Sequence, residues 1–573
     1  MMHFARLAAM AAIVGLAGCN AADTPPQAAI EPAPETQRTL GQGEVTGFYS
    51  GEAASAWLAV PYAAPPVGDL RWRAPRPPLA FPGRQFDAIA HGPRCPQITN
   101  ALSSTAEDLE PGQLIGSEDC LTLDIYAPRD AAPGDALPVM VWIHGGANVW
   151  GSTIAYDGSQ LAAERDVVVV AVQYRLGPLG FLSHPALRAS AGVPEDRAAN
   201  FALLDLVAAL DWVGANIDAF GGDPQRVTIF GESAGAYNIA GLMASPLARG
   251  RFHRAIMQSG GTASVSVDEA ENGGGTDLNP AFEAVAQFAG RDADADAMRA
   301  ASLSDIYDVY RGADGTFSSL PRMIEDGVSL PQGGILEAAS RPDGFAPVPL
   351  ITGTNRDEMK LYTVFDPRLT RRLGPLIWPR DGDRYNAAAE YPSRNWRVNA
   401  VDDLLDRLHA AGRADIWAYR FDWDEGGQVL LTDTGTLLGA SHAMEIPFVF
   451  NHFSLFGSFD RVLFNDGNAE GRAALADMMG AYWTRFAAEG EPGVGGGAGP
   501  LWPRWDGEAR LMRFDTPAGG GPEIVSGRES LSAIAADLAA DPRLEPEERC
   551  AVAAGVERRQ PETAAVLAGP LDC

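Results

Sequence analysis

The stretch Gly231-Glu232-Ser233-Ala234-Gly235 lies directly between an apolar run at 227–230 and a helix-like segment that begins at residue 236. A G-x-S-x-G pattern at the junction of a strand and a helix predicts a sharp, strained turn. The two glycines carry no Cβ, so the strand and the helix can approach each other closely. The sequence therefore predicts that the Ser233 hydroxyl is presented at the carboxyl edge of a β-sheet.

A second loop is predicted to converge on this serine. The apolar run 139–143 predicts a strand, and it leads into His144-Gly145-Gly146-Ala147-Asn148. In folds with a G-x-S-x-G turn, backbone N–H groups of a loop in this position help to bind the oxyanion of acyl transfer. The two loops together indicate acyl-transfer chemistry at one carbonyl.

Apolar runs without polar alternation predict a mostly parallel sheet, because helices then cover each strand on both faces. These runs lie at 139–143, 167–172, 227–230 and 348–352, and an apolar helical stripe lies at 201–217. The predicted class is α/β: an α/β-hydrolase fold with a large, mostly parallel central sheet, helices on both faces and insertions that cap the site. The polar segment 264–347 is the predicted cap.

Composition excludes some classes of partner. The formal net charge is −30, which argues against nucleic acid because phosphate binding needs a positive surface. No group of His and Cys residues has the spacing of metal ligands, so we expect no metal and no organic cofactor.

The N-terminus has the pattern of an export signal. Arg6 precedes an apolar run at 7–18, which is shorter than the roughly 20 residues that a membrane-spanning helix needs. The tetrapeptide Leu16-Ala17-Gly18-Cys19 resembles the bacterial lipobox, in which the cysteine is acylated. The alternative is an ordinary cleavage site followed by a chance cysteine.

These features predict a lipoprotein signal peptide at 1–18, lipidation at Cys19 and a flexible Pro/Ala-rich tether at 19–40. The expected location is the bacterial cell envelope, in the periplasm or at the outer membrane. Membrane contact is expected only through the lipid anchor.

Four cysteines remain after Cys19, and an even number in an exported protein favours two disulfides. Proximity in the sequence suggests that Cys95 pairs with Cys120 and that Cys550 pairs with Cys573. The sequence alone leaves other pairings open.

A serine nucleophile needs an imidazole that accepts its proton and a carboxylate that orients the imidazole. In this fold class the chain order is serine, acid, histidine, which leaves His409, His442 and His452 as candidate bases. His409 lies in a predicted amphipathic helix and His452 follows an apolar run, whereas His442 lies on a loop after a predicted strand. We therefore predict that His442 is the base.

The acid is expected after the strand at 348–352, where Asp357 and Glu358 are neighbours. Adjacent side chains point in different directions, so only one of the two carboxylates can face the base. Spacing alone does not separate them.

With these motifs in place, the chain resembles the type-B carboxylesterase family, which also contains the cholinesterases. The resemblance extends from about residue 45 to residue 506. Further family-like motifs are AVPYA at 59–63, PPVG at 65–68, SEDCL at 117–121, QYRLG at 173–177, FGGDP at 220–224, QSG at 258–260 and YWTRFA at 482–487.

The resemblance implies a single α/β-hydrolase domain over 41–573 and hydrolysis of small-molecule carboxylic esters through an acyl-enzyme. It implies a triad of Ser233, Glu358 and His442, and it supports the Cys95–Cys120 disulfide. It also implies that Ser259 forms a hydrogen bond near the acid.

The chain departs from the family at two places. Ala147 stands where relatives have a third glycine, so the predicted oxyanion hole consists of the Gly146, Ala147 and Ala234 amides, beside a modified acyl pocket. In cholinesterases an aromatic face in the loop corresponding to 95–120 binds the quaternary ammonium, and this loop has no Phe, Tyr or Trp. Choline esters are therefore not expected as substrates.

Three alternative functions use the same residues differently. An amidase or lactonase would have the same triad, and a specialised hydrolase of a bulky multi-ester natural product or xenobiotic would differ only in its pocket. A non-catalytic interaction module normally lacks the nucleophile or the base, and both are present in this sequence. The oligomeric state is left open.

Overall fold

The computed structural model describes residues 30–573, except 101–109, 274–279, 313–314, 316, 374–375, 431, 498, 558–565 and 572. The predicted signal peptide, Cys19 and the first part of the tether lie outside the described residues. Within the described part, no helix has both the length and the apolar character to cross a membrane.

An eleven-stranded sheet forms the centre of the molecule. In chain order its strands are β1 Phe48–Ser50, β2 Ala54–Pro61, β3 Thr122–Pro128, β4 Leu137–Ile143, β5 Val168–Val172, β6 Gly222–Glu232, β7 Arg254–Gln258, β8 Leu350–Asn355, β9 Ile416–Phe421, β10 Arg510–Phe514 and β11 Glu523–Ser526. Their spatial order is β11-β10-β9-β8-β7-β6-β4-β5-β3-β2-β1. The block from β10 to β5 is parallel, and antiparallel strands complete both edges. The predicted mostly parallel sheet is confirmed.

Helices surround this sheet. The α-helices are Ser159–Arg165, Gly177–Gly180, Pro185–Ala189, Phe201–Asn216, Ala234–Ala244, Val267–Asn272, Ala281–Phe288, Ala295–Ala300, Leu303–Val309, Gly334–Ala339, Lys360–Thr363, Gly382–Arg397, Asp403–Ala410, Thr434–Leu437, Ile446–Phe450, Asp460–Leu463, Ala469–Glu489, Leu531–Ala540 and Pro546–Glu557. Short peripheral strands pair as Gly43–Thr46 with both Arg38–Leu40 and Gln85–Asp87, Gln97–Ile98 with Leu114–Ile115, Ser264–Ser266 with Met323–Glu325, Thr370–Leu373 with Leu376–Pro379, and Gln428–Val429 with Thr432–Asp433.

The sheet has an apolar core on each face. Val141 of β4 packs in one cluster with helix Phe201–Asn216, whereas its neighbour Trp142 packs in a second cluster with helix Ala469–Glu489. Successive strand residues point to opposite faces, so a strand that is covered on both sides must be apolar at every position. This explains why β4 appears in the sequence as a continuous apolar run.

Both predicted disulfides are present, Cys95–Cys120 and Cys550–Cys573. The second closes a C-terminal segment that packs on helix Gly382–Arg397. The Tyr391 hydroxyl of that helix donates a hydrogen bond to an Asp541 carboxylate oxygen at 2.5 Å.

The G-x-S-x-G stretch forms the predicted turn. Ser233 has φ +54° and ψ −122°, a conformation that non-glycine residues rarely adopt, and helix Ala234–Ala244 begins directly after it. A Cβ placed on Gly235 would lie 1.9 Å from the Ile143 carbonyl oxygen, and one on Gly231 would lie 2.4 Å from the same atom. The backbone of β4 therefore passes so close to the turn that only glycine fits on either side of the serine.

Replacing Gly235 with alanine is expected to lower the free energy of unfolding by about 1–3 kcal/mol or more, because the new methyl group overlaps a backbone oxygen. Gly214→Ala is the matched control. Gly214 is exposed in helix Phe201–Asn216 with open space around its Cβ position. That change is expected to be neutral or to stabilise by up to about 1 kcal/mol. Chemical denaturation measures both, and equal stability of the Gly235 variant and the wild type would contradict this account of the turn.

Candidate active site

The predicted acid and base lie side by side. Glu358 follows β8 and His442 lies on a loop beyond β9, and the His442 Nδ1 atom is 2.6 Å from Glu358 Oε2. The other carboxylate oxygen of Glu358 accepts a hydrogen bond from the backbone N–H of Asn355 at 2.8 Å. Both side chains are buried, with residue exposures of 4% for His442 and 0% for Glu358. A carboxylate in this position fixes the tautomer of the ring and leaves Nε2 as the proton acceptor.

Asp357 binds other partners than His442. This distinguishes it from the adjacent Glu358, a choice that spacing in the sequence could not make. Its Oδ2 atom accepts hydrogen bonds from Arg356 at 2.7 Å and from the Ala440 amide at 3.2 Å. The Asp357 amide in turn donates to the Ala440 carbonyl. Asp357 therefore holds the backbone two residues before His442, while Glu358 contacts the ring.

The two other candidate histidines lie elsewhere. His409 lies in helix Asp403–Ala410, as predicted, and is exposed. His452 follows helix Ile446–Phe450, and its ring contacts Ser454. Neither side chain has a bond to Glu358 in the described structure.

The Nε2 atom of His442 faces the turn that carries the serine. It lies 3.1 Å from an oxygen of Glu232, the residue directly before Ser233. Within the described residues, this buried Nε2 forms no hydrogen bond. No hydrogen bond therefore joins this nitrogen to the Ser233 hydroxyl within the described residues, and the Glu232 carboxylate lies at ion-pair distance from it.

Glu232 and Glu445 are two buried carboxylates that our sequence reasoning did not include. Glu445 accepts hydrogen bonds from Asn355 Nδ2 at 2.6 Å and from Gln258 Nε2 at 3.2 Å. Glu232 occupies the variable position of the G-x-S-x-G motif, and Glu445 follows His442 by three residues. Glu232 stands inside that motif, but its contact with the imidazole, and the burial of Glu445 among Asn355 and Gln258, depend on the packing of distant strands.

Burial and mutual charge shift the pKa values of this cluster. Burial alone would lower the pKa of His442, but the charges of Glu232 and Glu358 outweigh it and raise the pKa well above the usual 6.5. Burial raises the pKa of Glu232 well above 4.5, despite the opposing charge of His442. Burial and the charge of Glu358 raise the pKa of Glu445 to about 7. The cluster therefore retains protons to a higher pH than isolated side chains would.

The predicted oxyanion amides belong to two loops at the same sheet edge. Gly146 and Ala147 both have positive φ, +100° and +55°, and Ala234 is the first residue of helix Ala234–Ala244. In the described part of the chain, none of the three amides donates to a protein acceptor. The helix N-terminus adds a partial positive charge, which favours an anion beside it.

Two side-chain contacts hold this loop, and the sequence reasoning did not identify either. The Asn148 and Asn238 amides bond to each other in both directions, at 2.9 and 3.2 Å, and so join the loop to the helix after Ser233. The Tyr174 hydroxyl donates to the His144 carbonyl at 2.7 Å. Burial lowers the pKa of His144 to about 4, so this ring adds no positive charge at neutral pH.

An aromatic wall covers the His442 ring. The Trp396 ring centroid lies 4.6 Å from that of His442, and the Tyr362 ring lies 6.0 Å away. Trp396 is fixed by its indole N–H, which donates to the Gly260 carbonyl at 2.9 Å. Trp396 comes from helix Gly382–Arg397, and no local motif marks it.

The prediction for Ser259 needs correction. Its backbone amide donates to the Gly353 carbonyl at 2.8 Å, but its buried hydroxyl forms no hydrogen bond within the described residues. The two carboxylate oxygens of Glu358 already accept from the Asn355 amide and from His442. The predicted hydrogen bond near the acid is therefore absent.

A serine on a strand-to-helix turn, a buried Glu–His pair and unpaired backbone amides at one sheet edge are the parts of a serine hydrolase on the α/β-hydrolase fold. Comparison with known proteins gives the family.

The model of the carboxylesterase family matches residues 34–372. The chain is 35% identical over 533 residues to the Fumonisin B1 esterase of Sphingopyxis macrogoltabida, covering 87% of this chain and 89% of that protein. It is 34% identical over 496 residues to the Para-nitrobenzyl esterase of Bacillus subtilis (strain 168), covering 82% and 93%. The solved structure of a thermophilic PNB esterase superposes with a TM-score of 0.65 at 30% identity, covering 86% of this chain and 97% of that one. The chain belongs to the carboxylesterase family and is a serine carboxylesterase.

Replacing Glu232 with glutamine is expected to move the acidic limb of the kcat/KM profile to lower pH. A protonated imidazole cannot accept the serine proton, so activity rises as pH passes the pKa of His442. The Glu232 charge raises that pKa, and the amide removes the charge while keeping the shape.

Glu508→Gln is the control, because that carboxylate is on the surface with its side chain 77% exposed. Its profile should match the wild type. An unchanged acidic limb in the Glu232 variant would show that Glu232 does not set the pKa of the base.

Proposed function

We propose that Ser233 attacks the carbonyl carbon of a carboxylic ester while Nε2 of His442 accepts its proton. Glu358 holds the Nδ1–H of the imidazole and stabilises the imidazolium that forms. The observation that carries this proposal is the 2.6 Å contact between His442 Nδ1 and Glu358 Oε2, with the opposite nitrogen facing the serine turn at 3.1 Å from Glu232.

The negative charge of the tetrahedral intermediate falls on the former carbonyl oxygen. In this proposal the amides of Gly146, Ala147 and Ala234 donate to that oxygen, supported by the unpaired state of all three. Loss of one such donor typically costs about 10²- to 10³-fold in rate.

The intermediate then collapses to an acyl-enzyme, which water hydrolyses. His442 first gives the serine proton to the leaving alcohol, so that the alcohol departs and the acyl group stays on Ser233. Neutral again, His442 takes a proton from water, the hydroxide attacks the acyl carbon, and the carboxylic acid leaves as the proton returns to Ser233.

The substrate is proposed to be a neutral or anionic ester rather than a choline ester, because the 95–120 sequence offers no aromatic face for a quaternary ammonium. The named relatives act on different compounds, fumonisin B1 and para-nitrobenzyl esters. The first of these favours a bulky natural-product ester as the second candidate substrate class.

We also propose that the chain is exported and anchored in the cell envelope through a lipid on Cys19. This proposal is supported by the Leu16-Ala17-Gly18-Cys19 sequence after a short apolar run.

Replacing Ser233 with alanine is expected to reduce kcat on p-nitrophenyl esters by about 10⁶-fold, because the nucleophile is lost while binding remains. Thermal unfolding should show that the variant stays folded. Substantial remaining turnover would rule out Ser233 as the nucleophile.

The same assay separates the substrate classes. We expect kcat/KM to be larger for aliphatic, aromatic or polycarboxylic esters than for the matching amides and lactones. Preferred amide or lactone turnover would instead support those activities, and fumonisin B1 tests the natural-product class.

Replacing Cys19 with serine is expected to move the protein, expressed in a bacterium that processes lipoproteins, from the detergent phase to the aqueous phase. Without the thiol no lipid is attached. Thr24→Ser leaves Cys19 in place and should partition like the wild type. Unchanged detergent partitioning of the Cys19 variant would contradict the anchor.

A further inference from the structure

A cavity of about 720 Å³ lies at the carboxyl ends of β8 and β9, separate from the serine turn. Its lining residues are Thr354, Asn355, Arg356, Asp357, Lys360, Asn386, Glu390, Ser393, Arg394, Arg397, Arg420, Asp424, Asp433, Gly435, Thr436 and Glu529. Neither Ser233 nor His442 belongs to this lining. Ligands of open α/β sheets bind at the carboxyl ends of strands, so the position is that of a ligand site.

Five of these lining side chains are cationic and five are carboxylates, so the lining is neutral in a chain whose formal charge is −30. One of them is Lys360, the only lysine in the sequence, and it is buried with 6% exposure. The closest carboxylate oxygen to its ammonium nitrogen is Asp357 Oδ1, at 3.5 Å. A buried ammonium group has three N–H donors, and this single long contact leaves donors available.

The four lining arginines bind carboxylates through Nε and Nη2. These pairs are Arg356 with Asp357 and Asp424, Arg394 with Glu529 and Asp537, Arg397 with Asp402, and Arg420 with Asp422. In the described residues, no Nη1 atom of the four forms a hydrogen bond, and none is sealed from solvent. Arg394 Nη1 forms an ion pair of 3.8 Å with Glu390.

The carboxylates of the lining are already occupied. Asp357, Asp424 and Glu529 accept from the arginines, Glu390 accepts from Arg543, and Asp433 accepts the amides of the helix that follows it. The cavity therefore has spare N–H donors and few free anionic acceptors. Because the charges of the lining balance, a ligand with negatively charged oxygens would gain from the spare N–H donors.

Two uncharged groups in the lining also lack partners. The Thr354 hydroxyl is buried with 1% exposure and forms no hydrogen bond in the described structure. The Asn355 Oδ1 atom is likewise buried and unbonded. Both atoms are sealed from solvent in this conformation, so a ligand in the cavity would contact the exposed N–H groups of the lining and not these two atoms.

We propose that this cavity binds a small molecule with an oxyanion group, a carboxylate or a phosphate, through Lys360 and the free edges of the arginines. The site is distinct from the ester-binding site and does not depend on the catalytic roles proposed above. It also touches the catalytic pair, since Asn355 lines the cavity and its amide donates to Glu358.

Calorimetric titration of the folded chain with succinate and with inorganic phosphate tests the site, with sodium chloride holding the ionic strength constant. At least one anion should bind with one-to-one stoichiometry, and the stronger binder identifies a carboxylate or a phosphate ligand. Lys360→Met should weaken binding by about tenfold or more through loss of a charge-assisted hydrogen bond. Lys360→Arg keeps the charge and should retain most of the affinity.

The control variant is Arg251→Met, which removes a surface arginine that pairs with Asp211 outside the cavity lining. It should bind like the wild type. If Lys360→Met does not fold, Arg420→Gln serves instead, because glutamine can still donate to Asp422.

A covalent organophosphate on Ser233 should leave anion binding unchanged, because the cavity lies apart from the serine. Loss of binding after this modification would place the anion in the ester site and overturn the proposal. Absence of binding by both anions, or equal binding by Lys360→Met and the wild type, would also overturn it.

Discussion

The contact between His442 Nδ1 and Glu358 Oε2, at 2.6 Å in a buried setting, is the interaction that the rest of the site depends on. Removing a carboxylate from water costs several kcal/mol, and the cost is recovered only when its oxygens accept well-placed hydrogen bonds. The Asn355 amide supplies one such bond at the end of β8, and the imidazole supplies the other. The end of β8 and the loop that carries His442 must therefore keep a fixed register relative to each other. Residues next to Glu358 hold that register.

Asn355 and Asp357 provide that register from opposite sides of the acid. The Asn355 side chain donates to the Ser441 carbonyl and to Glu445, while Asp357 binds the Ala440 backbone. Asp357 can remain charged there because Arg356 and Lys360 compensate it, and these charges lower its pKa despite burial. The charged cavity behind the loop and the Glu358–His442 pair therefore share one framework, in which compensation of Asp357 stabilises the position of His442.

Local patterns in the sequence predicted the parts of the fold that depend on neighbours in the chain. The turn at Ser233, the buried strand β4 and the helix Phe201–Asn216 all follow from patterns a few residues long. The edge strands and the aromatic wall do not follow from such short patterns. Trp396, for example, reaches the histidine only through the packing of a helix whose apolar pattern is interrupted by charged residues. Spacing also could not choose between Asp357 and Glu358, since the choice depends on the direction of each side chain after β8.

The alanine in the proposed oxyanion loop shows how such constraints combine. Ala147 and Asn148 both have positive φ, +55° and +58°, which costs on the order of 1 kcal/mol for each residue with a Cβ. That conformation persists because Asn148 is bonded on two sides, by Asn238 of the helix after Ser233 and by Tyr174. The two amides of the loop are thereby held relative to the Ala234 amide before any substrate binds. Donors that are fixed in advance stabilise a developing negative charge without having to reorganise. The strained backbone of the loop therefore holds the amides in the position that their proposed function requires.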